Sequence, residues 1–305
     1  MWQEVFRVDE EHGRLLLKPE LLAIGRDGIF VFDYGNRELS AFTMTGRFAW
    51  VRGRKGGGPG EFGGPTDMST DANGGIYLLD PTNSRITVYS ENGTYQRAVT
   101  LDQPLHRLAV RRDGSFVGSP MSDKLLVTMG ADGTPGASAA PPAELRSLSP
   151  LLRENRLLVT SRDQLLMLHT WSTKVILAHL AGGVSVERIG DLRNVQPFPA
   201  LKTYASGKYT ISRVDPASTR VMRAAAVQGD TLFVTDHRDD ENTAYIDSYV
   251  STTLQYASSR RSPASLKAFA LKGSLLVGLV DEPVPGLVAW RWVPEGRRSG
   301  TSTRP

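Results

Sequence analysis

Asn73-Gly74-Gly75-Ile76-Tyr77-Leu78-Leu79-Asp80, followed by Asn83-Ser84-Arg85-Ile86-Thr87-Val88-Tyr89, carries the clearest structural signal in this chain. The Asn-Gly-Gly opening is a turn, because glycine takes the positive φ that tight turns need. An apolar run of strand length follows, then a second run rich in β-branched and aromatic residues. Glu91-Asn92-Gly93 and Thr94-Tyr95 extend the second run into a hairpin. A sister copy stands upstream as Asp27-Gly28-Ile29-Phe30-Val31-Phe32-Asp33 with Asn36-Arg37-Glu38-Leu39. Fainter copies run over Asp113–Ser119, Asn155–Ser161, Gly229–Asp236 and Gly273–Leu279.

The copies end at residues 33, 80, 119, 161, 236 and 279, with intervals of 47, 39, 42, 75 and 43. Four of the intervals match one propeller blade of about 40–50 residues. The interval of 75 is one blade plus an insertion, placed at about 181–219, or it hides a seventh blade. No long amphipathic helix is legible. The best helical candidate, 143–153, contains Pro150, which breaks a helix interior. The reading is an all-β, six-bladed β-propeller of four-stranded blades, residues 1–293, with a disordered tail at 294–305. Leu287–Trp292 leaves the last blade one strand short. The unassigned N-terminal strand Val5–Val8 supplies the fourth and closes the ring, which removes the free sheet edge.

Gly56-Gly57-Gly58-Pro59-Gly60-Glu61-Phe62, Pro65 and the Asp80–Asn83–Arg85–Ile86 series resemble the NHL-repeat six-bladed propeller group. The resemblance covers two blades, 22–100. It implies the fold, and a spread of functions that includes protein-binding and RNA-binding modules, sugar-lactone hydrolases and amidating lyases.

The 305 residues carry 36 Lys+Arg, 32 Asp+Glu and no cysteine, for a formal charge of +4. Disulfides, thiolate metal sites and cysteine nucleophiles are therefore excluded. No apolar run reaches the 18 or more residues of a membrane span, and no signal peptide is visible at the start of the chain, so the compartment is left open. A monomer is expected. The basic residues of 188–223 (Arg188, Arg193, Lys202, Lys208, Arg213, Arg220 and Arg223) read as a solvated loop over one face. Gly58–Gly63 fits G-x-G-x-x-G formally, but Pro65 and a β pattern follow it, so it reads as a loop between blades. Asp33, Asp80 and Asp236 recur at one repeat position and are expected to accept backbone N–H bonds at turns. His237–Asn242 reads as a solvated hairpin loop, with Ca²⁺ as its one candidate cofactor. Histidines 12, 106, 169, 179 and 237 show no metal-ligand spacing.

Counting back from the centre of each copy places Leu22, Met68, Leu108, Pro150, Ala225 and Ala268 on the innermost strands. The residues just before them include Asp67, His106, Arg107, Arg223 and Lys267, at one mouth of the central channel. Three cations there would focus positive potential on an anionic guest, unless Asp67 and Glu61 pair with them. The leading expectation is a non-catalytic module that binds a protein segment or an anionic small molecule through Arg107, Arg223, Lys267, His106, Asp67 and Glu61. The alternatives are a metal-dependent hydrolase or lyase using His106, Asp67 and Glu61, and an RNA-binding propeller, which would show steep salt dependence.

Overall fold

The structure is a computed structural model that describes residues 1–11, 14–146, 148, 152, 154–193, 196–206, 209–215, 221–222, 224–237 and 244–293. It is a six-bladed β-propeller of antiparallel four-stranded blades. Blade 1 comprises Pro19–Ile24, Gly28–Asp33, Glu38–Thr43 and Phe48–Arg52, from the axis outward. Blade 2 comprises Asp67–Thr70, Gly75–Asp80, Arg85–Ser90 and Tyr95–Thr100. Blade 3 is Leu105–Val110, Phe116–Pro120, Leu126–Met129 and Pro135–Ala139. Blade 4 is Asn155–Val159, Gln164–His169, Lys174–His179 and Ser185–Asp191. Blade 5 is Ala225–Gln228, Thr231–His237, Ala244–Val250 and Tyr256–Arg261. Blade 6 takes Ala268–Lys272, Leu275–Val280 and Gly286–Trp292 from the C-terminal end and Trp2–Val8 from the N-terminal end. The closure is antiparallel, from Trp2 opposite Trp292 to Val8 opposite Leu287.

The second strands are the most apolar in sequence and lie inside the blades. Gly28–Asp33, Gln164–His169 and Leu275–Val280 are buried at every position. The outer strands Tyr95–Thr100 and Tyr256–Arg261 are mostly exposed. Because a strand buries alternate side chains on two faces, the cores lie between blades. Phe30, Phe32, Phe62, Leu78 and Tyr89 fill the joint of blades 1 and 2, with the rings of Phe32 and Phe62 edge to face at 5.1 Å. Val8, Val31, Val277 and Leu287 fill the joint of blades 6 and 1. Gly53 has φ +93°, and a Cβ there would sit 2.2 Å from the Phe62 ring, so glycine is needed where the chain crosses to blade 2.

Where the inner strands begin is called the upper face. On the lower face, polar bonds cross the joints. Glu91 accepts the N–H groups of Asp27 (2.6 Å) and Gly28 (3.0 Å). Arg111 pairs with Asp163, and Arg162 with Asp230. Gln228 donates to the Gly273 carbonyl (3.2 Å) and Lys272 to that of Gly25 (2.9 Å).

The fourth repeat differs from its sequence reading. Asn155–Val159, expected to be the second strand of its blade, is the inner strand, and Gln164–His169 is the second. The turn between them places Asp163, not glycine, at φ +58°, so the Gly-turn signal that marks the other copies is missing. Residues 185–191, expected within the insertion, form the outer strand of blade 4. The true insertion follows it and contains the hairpin Leu201–Ser206 with Tyr209–Val214. The helical candidate reduces to one turn, Ala143–Arg146. The tail 294–305 lies outside the described residues.

Candidate functional site

The repeat-position aspartates are structural, as expected for two of the three. Asp33 accepts N–H bonds from Leu17 (2.7 Å), Lys18 (3.1 Å) and Gly35 (2.7 Å), tying the entry of blade 1 to its own turn. Asp80 does the same in blade 2 with Gly63 (2.8 Å) and Gly64 (3.0 Å), and holds the Asn83 side chain at 2.9 Å. Arg85 donates to the carbonyls of Gly57, Gly58 and Glu61. In blade 5 the position passes to Thr235, whose hydroxyl accepts from Ala224 N–H at 3.0 Å, so Asp236 stands one residue beyond the turn-fixing site. The segment 238–242 lies outside the described residues, and Ca²⁺ there stays an expectation.

A central channel of about 2390 Å³ runs the length of the inner strands. Its lower end is lined by Ile24, Thr70, Val110, Val159, Leu271 and Lys272. Between the two ends the inner strands carry uncharged residues, Leu22, Met68, Leu108 and Leu157 on blades 1–4 and Ala225, Ala226, Ala268 and Ala270 on blades 5 and 6, most of them packed into the cores between blades. The upper mouth is charged. Lys18, Arg107, Arg156 and Lys267 stand there with Glu20, Asp67, Glu154, Asp281 and Glu282. Four cations against five carboxylates do not make the positive funnel read from sequence. Arg223 lies outside the described residues.

Each cation at the mouth has a specific setting. Arg107 reaches across three blades, donating to the carbonyls of Thr66 (3.0 Å), Asn155 (2.8 Å) and His106 (3.0 Å), with Glu154 at 3.7 Å. Lys267 ties blade 6 to blade 1 through Glu20 (3.2 Å) and contacts Asp281 (3.0 Å). Burial pulls its pKa down, but the two carboxylates outweigh burial and hold it above the usual lysine value. Asp67 accepts the N–H groups of Met68 (3.0 Å) and of Leu108 in the next blade (2.9 Å). Burial pushes its carboxyl up despite the charges of Arg107 and Arg156. His106 also lines the mouth, and its pKa is lowered by burial first and Arg107 second, both of which favour the neutral imidazole.

Glu61 is not at the mouth. It sits in the loop between blades 1 and 2, where the Gly58 N–H (2.8 Å) and Arg54 (2.8 Å) hold its carboxyl below the usual range. The set His106, Asp67 and Glu61 is therefore not brought together. Among the described residues, no three histidine or acidic side chains form a group that could hold a metal ion. His169 is buried against Phe198 (5.2 Å), and His179 faces Glu187 (3.2 Å) on the outer half of blade 4. Glu154 and Arg156 escaped the sequence reading because the inner strand of blade 4 was placed around Pro150. The register pairs Met167, near the centre of the true second strand, with Leu157, and these two residues stand just before it.

The insertion is fastened to the upper face at both ends. Gln196 N–H donates to the Thr173 hydroxyl (3.1 Å), and the N–H groups of Val221 (3.0 Å) and Met222 (3.2 Å) donate to the Thr170 carbonyl. Met222 and Trp171 consequently line the channel. Leu15, in the short strand Arg14–Leu15, and Leu17, Met121 and Val284, on loops, are exposed apolar residues of this same face.

A family described as 6-bladed beta-propeller matches residues 12–113. No curated protein matches the sequence. Among solved structures, virginiamycin B lyase from Staphylococcus aureus superimposes with a TM-score of 0.60 at 10% identity, covering 96% of this chain and 99% of that one. A Bacteroides fragilis protein described as exported gives 0.60 at 10% identity, covering 97% and 95%. The Cps50 (Swd1) β-propeller domain of Myceliophteria thermophila gives 0.57 at 9% identity, covering 96% and 100%. Identities this low establish the six-bladed propeller and nothing about what it binds. No helix among the described residues is long and apolar enough to cross a membrane.

Proposed function

We propose that this chain is a non-catalytic binding module, NHL-like in its first two blades, that recognises a protein segment or an anionic small molecule at the upper mouth of its channel. The observation that carries the reading is the convergence of charged side chains from blades 1, 2, 3, 4 and 6 on a single open mouth. Exposed Leu15, Leu17, Met121 and Val284 on the same face add apolar contact area, the mixture that interaction sites use. The near balance of charges favours this reading over RNA binding, which calls for a basic stripe.

The test is native mass spectrometry of the purified chain to find a co-purified guest. Guest retention is then compared in wild type and in Met121→Glu/Lys18→Glu, two exposed changes at the mouth. Loss of the guest in the double variant, with unchanged melting, is the expected result. Full retention by the variant would overturn the placement. So would no guest together with no shift of mouth resonances by peptide and carboxylate libraries.

A further inference from the structure

Three of the exposed apolar residues of the upper face stand over the joint of blades 6 and 1. The closing strand of blade 6 runs past Val8 into a short hairpin, Glu10–Glu11 with Arg14–Leu15, and the chain then turns into blade 1. Val8 lies opposite Leu287, and a Cβ on Gly286 would be 3.6 Å from that of Asp9, so the loop 281–285 of blade 6 runs beside the hairpin. Leu15 is 54% exposed, Leu17 53% and Val284 45%. The two leucines are held firmly. Leu16 between them is buried with Val8, Val31, Leu279 and Leu287 in the core of the joint. The backbone from Leu15 to Lys18 is bonded at every residue. The Asn36 side chain donates to the Leu15 carbonyl (2.9 Å), and Leu16 N–H to the Asp9 carbonyl (2.9 Å). Leu17 and Lys18 N–H donate to Asp33 (2.7 and 3.1 Å), and Tyr34 N–H to the Lys18 carbonyl (2.9 Å). A ridge fixed in this way loses little conformational freedom when it is covered, which removes a cost that mobile loops bear on binding.

Charge selects what covers the ridge. The chain as a whole is +4, yet the segments 9–20 and 281–285 hold six acidic residues against Arg14 and Lys18. Lys267 is shared between Glu20 and Asp281. Glu282, two residues before Val284, is exposed at the mouth, and its carboxylate makes no hydrogen bond or ion pair among the described residues. An apolar ridge beside a surplus of carboxylates suits a partner that carries apolar side chains together with Lys or Arg, and it repels an acidic one.

We propose that a protein segment bearing apolar and basic side chains docks on the ridge of Leu15, Leu17 and Val284, with a Lys or Arg at Glu282. This rests on the mouth-binding reading and narrows it to a protein segment. The probe is a random decapeptide phage library selected on the immobilised full chain. Enriched peptides are expected to combine Leu, Ile, Val or Phe with Lys or Arg. In fluorescence anisotropy, Leu15→Ser/Leu17→Ser should weaken the best of them about 10- to 100-fold, because each half-exposed leucine still has about half of its side chain's burial to gain. Glu282→Lys should weaken it about 5-fold at about 0.05 M NaCl and less at about 0.5 M. All three positions are exposed, so both variants should melt like wild type. Glu282→Lys decides alone if the leucine variant does not fold. The inference is overturned if selection enriches acidic peptides or none, or if either folded variant binds like wild type. A wild-type dimer dispersed by Leu15→Ser/Leu17→Ser would give the ridge to a second copy and equally overturn it. Failure here, with a co-purified guest still dependent on Met121 and Lys18, would remove this inference and leave the binding-module reading standing.

Discussion

Arg107→Met separates a structural cation from a ligand-binding one. Arg107 makes two bonds between blades, to Thr66 and Asn155, and one to its neighbour His106, with a side chain only 18% exposed. A hydrogen bond involving a charged group contributes about 1.5–3 kcal/mol. Thr66 lines the channel, where water can replace the lost donor, whereas Asn155 is fully buried, so the lower figure for each bond is a minimum. The bond to His106 is local and counts little. Methionine keeps the apolar stem, and the contact with Glu154 is 3.7 Å, longer than a charge-assisted hydrogen bond, so it adds less than the carbonyl bonds. The expected loss is at least about 3 kcal/mol from the two inter-blade bonds. At about 2 °C per kcal/mol for a domain of this size, Tm should fall by at least about 6 °C. Thermal melts at about 0.05 and 0.5 M NaCl should show the same fall, because the acceptors are neutral carbonyls that salt screens little. The reasoning is refuted if Arg107→Met melts like wild type, or if its loss appears only at low salt.

Two further outcomes follow from the same geometry. Deleting Met1–Val8 removes the strand that closes blade 6 and bares the edge of Gly286–Trp292. The truncated chain should lose its cooperative melt and associate through that edge, and a peptide of residues 1–11 should restore the monomer; an unchanged monomer by size-exclusion chromatography would count against ring closure as a source of stability. His106 faces Arg107, Glu154 and Asp67, and burial lowers its proton affinity in the folded state. The unfolded chain therefore binds more protons below about pH 6.5, and stability should fall as pH drops through that value. In Tm–pH profiles His106→Gln should flatten this dependence, and parallel curves for wild type and variant would exclude the effect.

Local chemistry wrote most of the ring into the chain. A Gly-containing turn between two apolar runs forms the same strand pair wherever it stands, since turn φ and strand periodicity act over a few residues. That is why blades 1 and 2, with Asp33 and Asp80 at matched positions, were legible to the residue. It is also why the closing strand could be inferred by counting. The signal failed where a local feature was replaced. With Asp163 in the turn of blade 4 instead of glycine, the fourth repeat slipped by one strand and hid Glu154 and Arg156. Thr235 likewise took over the role expected of Asp236. The site depended on tertiary structure more than the fold did. Arg107 is committed to carbonyls 41 residues before it and 48 residues after it. Glu61 and Asp67 are near in sequence, yet one closes a loop with Arg54 and the other lines the channel. Asp67 and Arg156, on blades 2 and 4, stand at one level of the channel because the strand registers align them. Composition shows how many charges a chain carries; only the packing of the blades selects which of them neutralise one another and which face the channel.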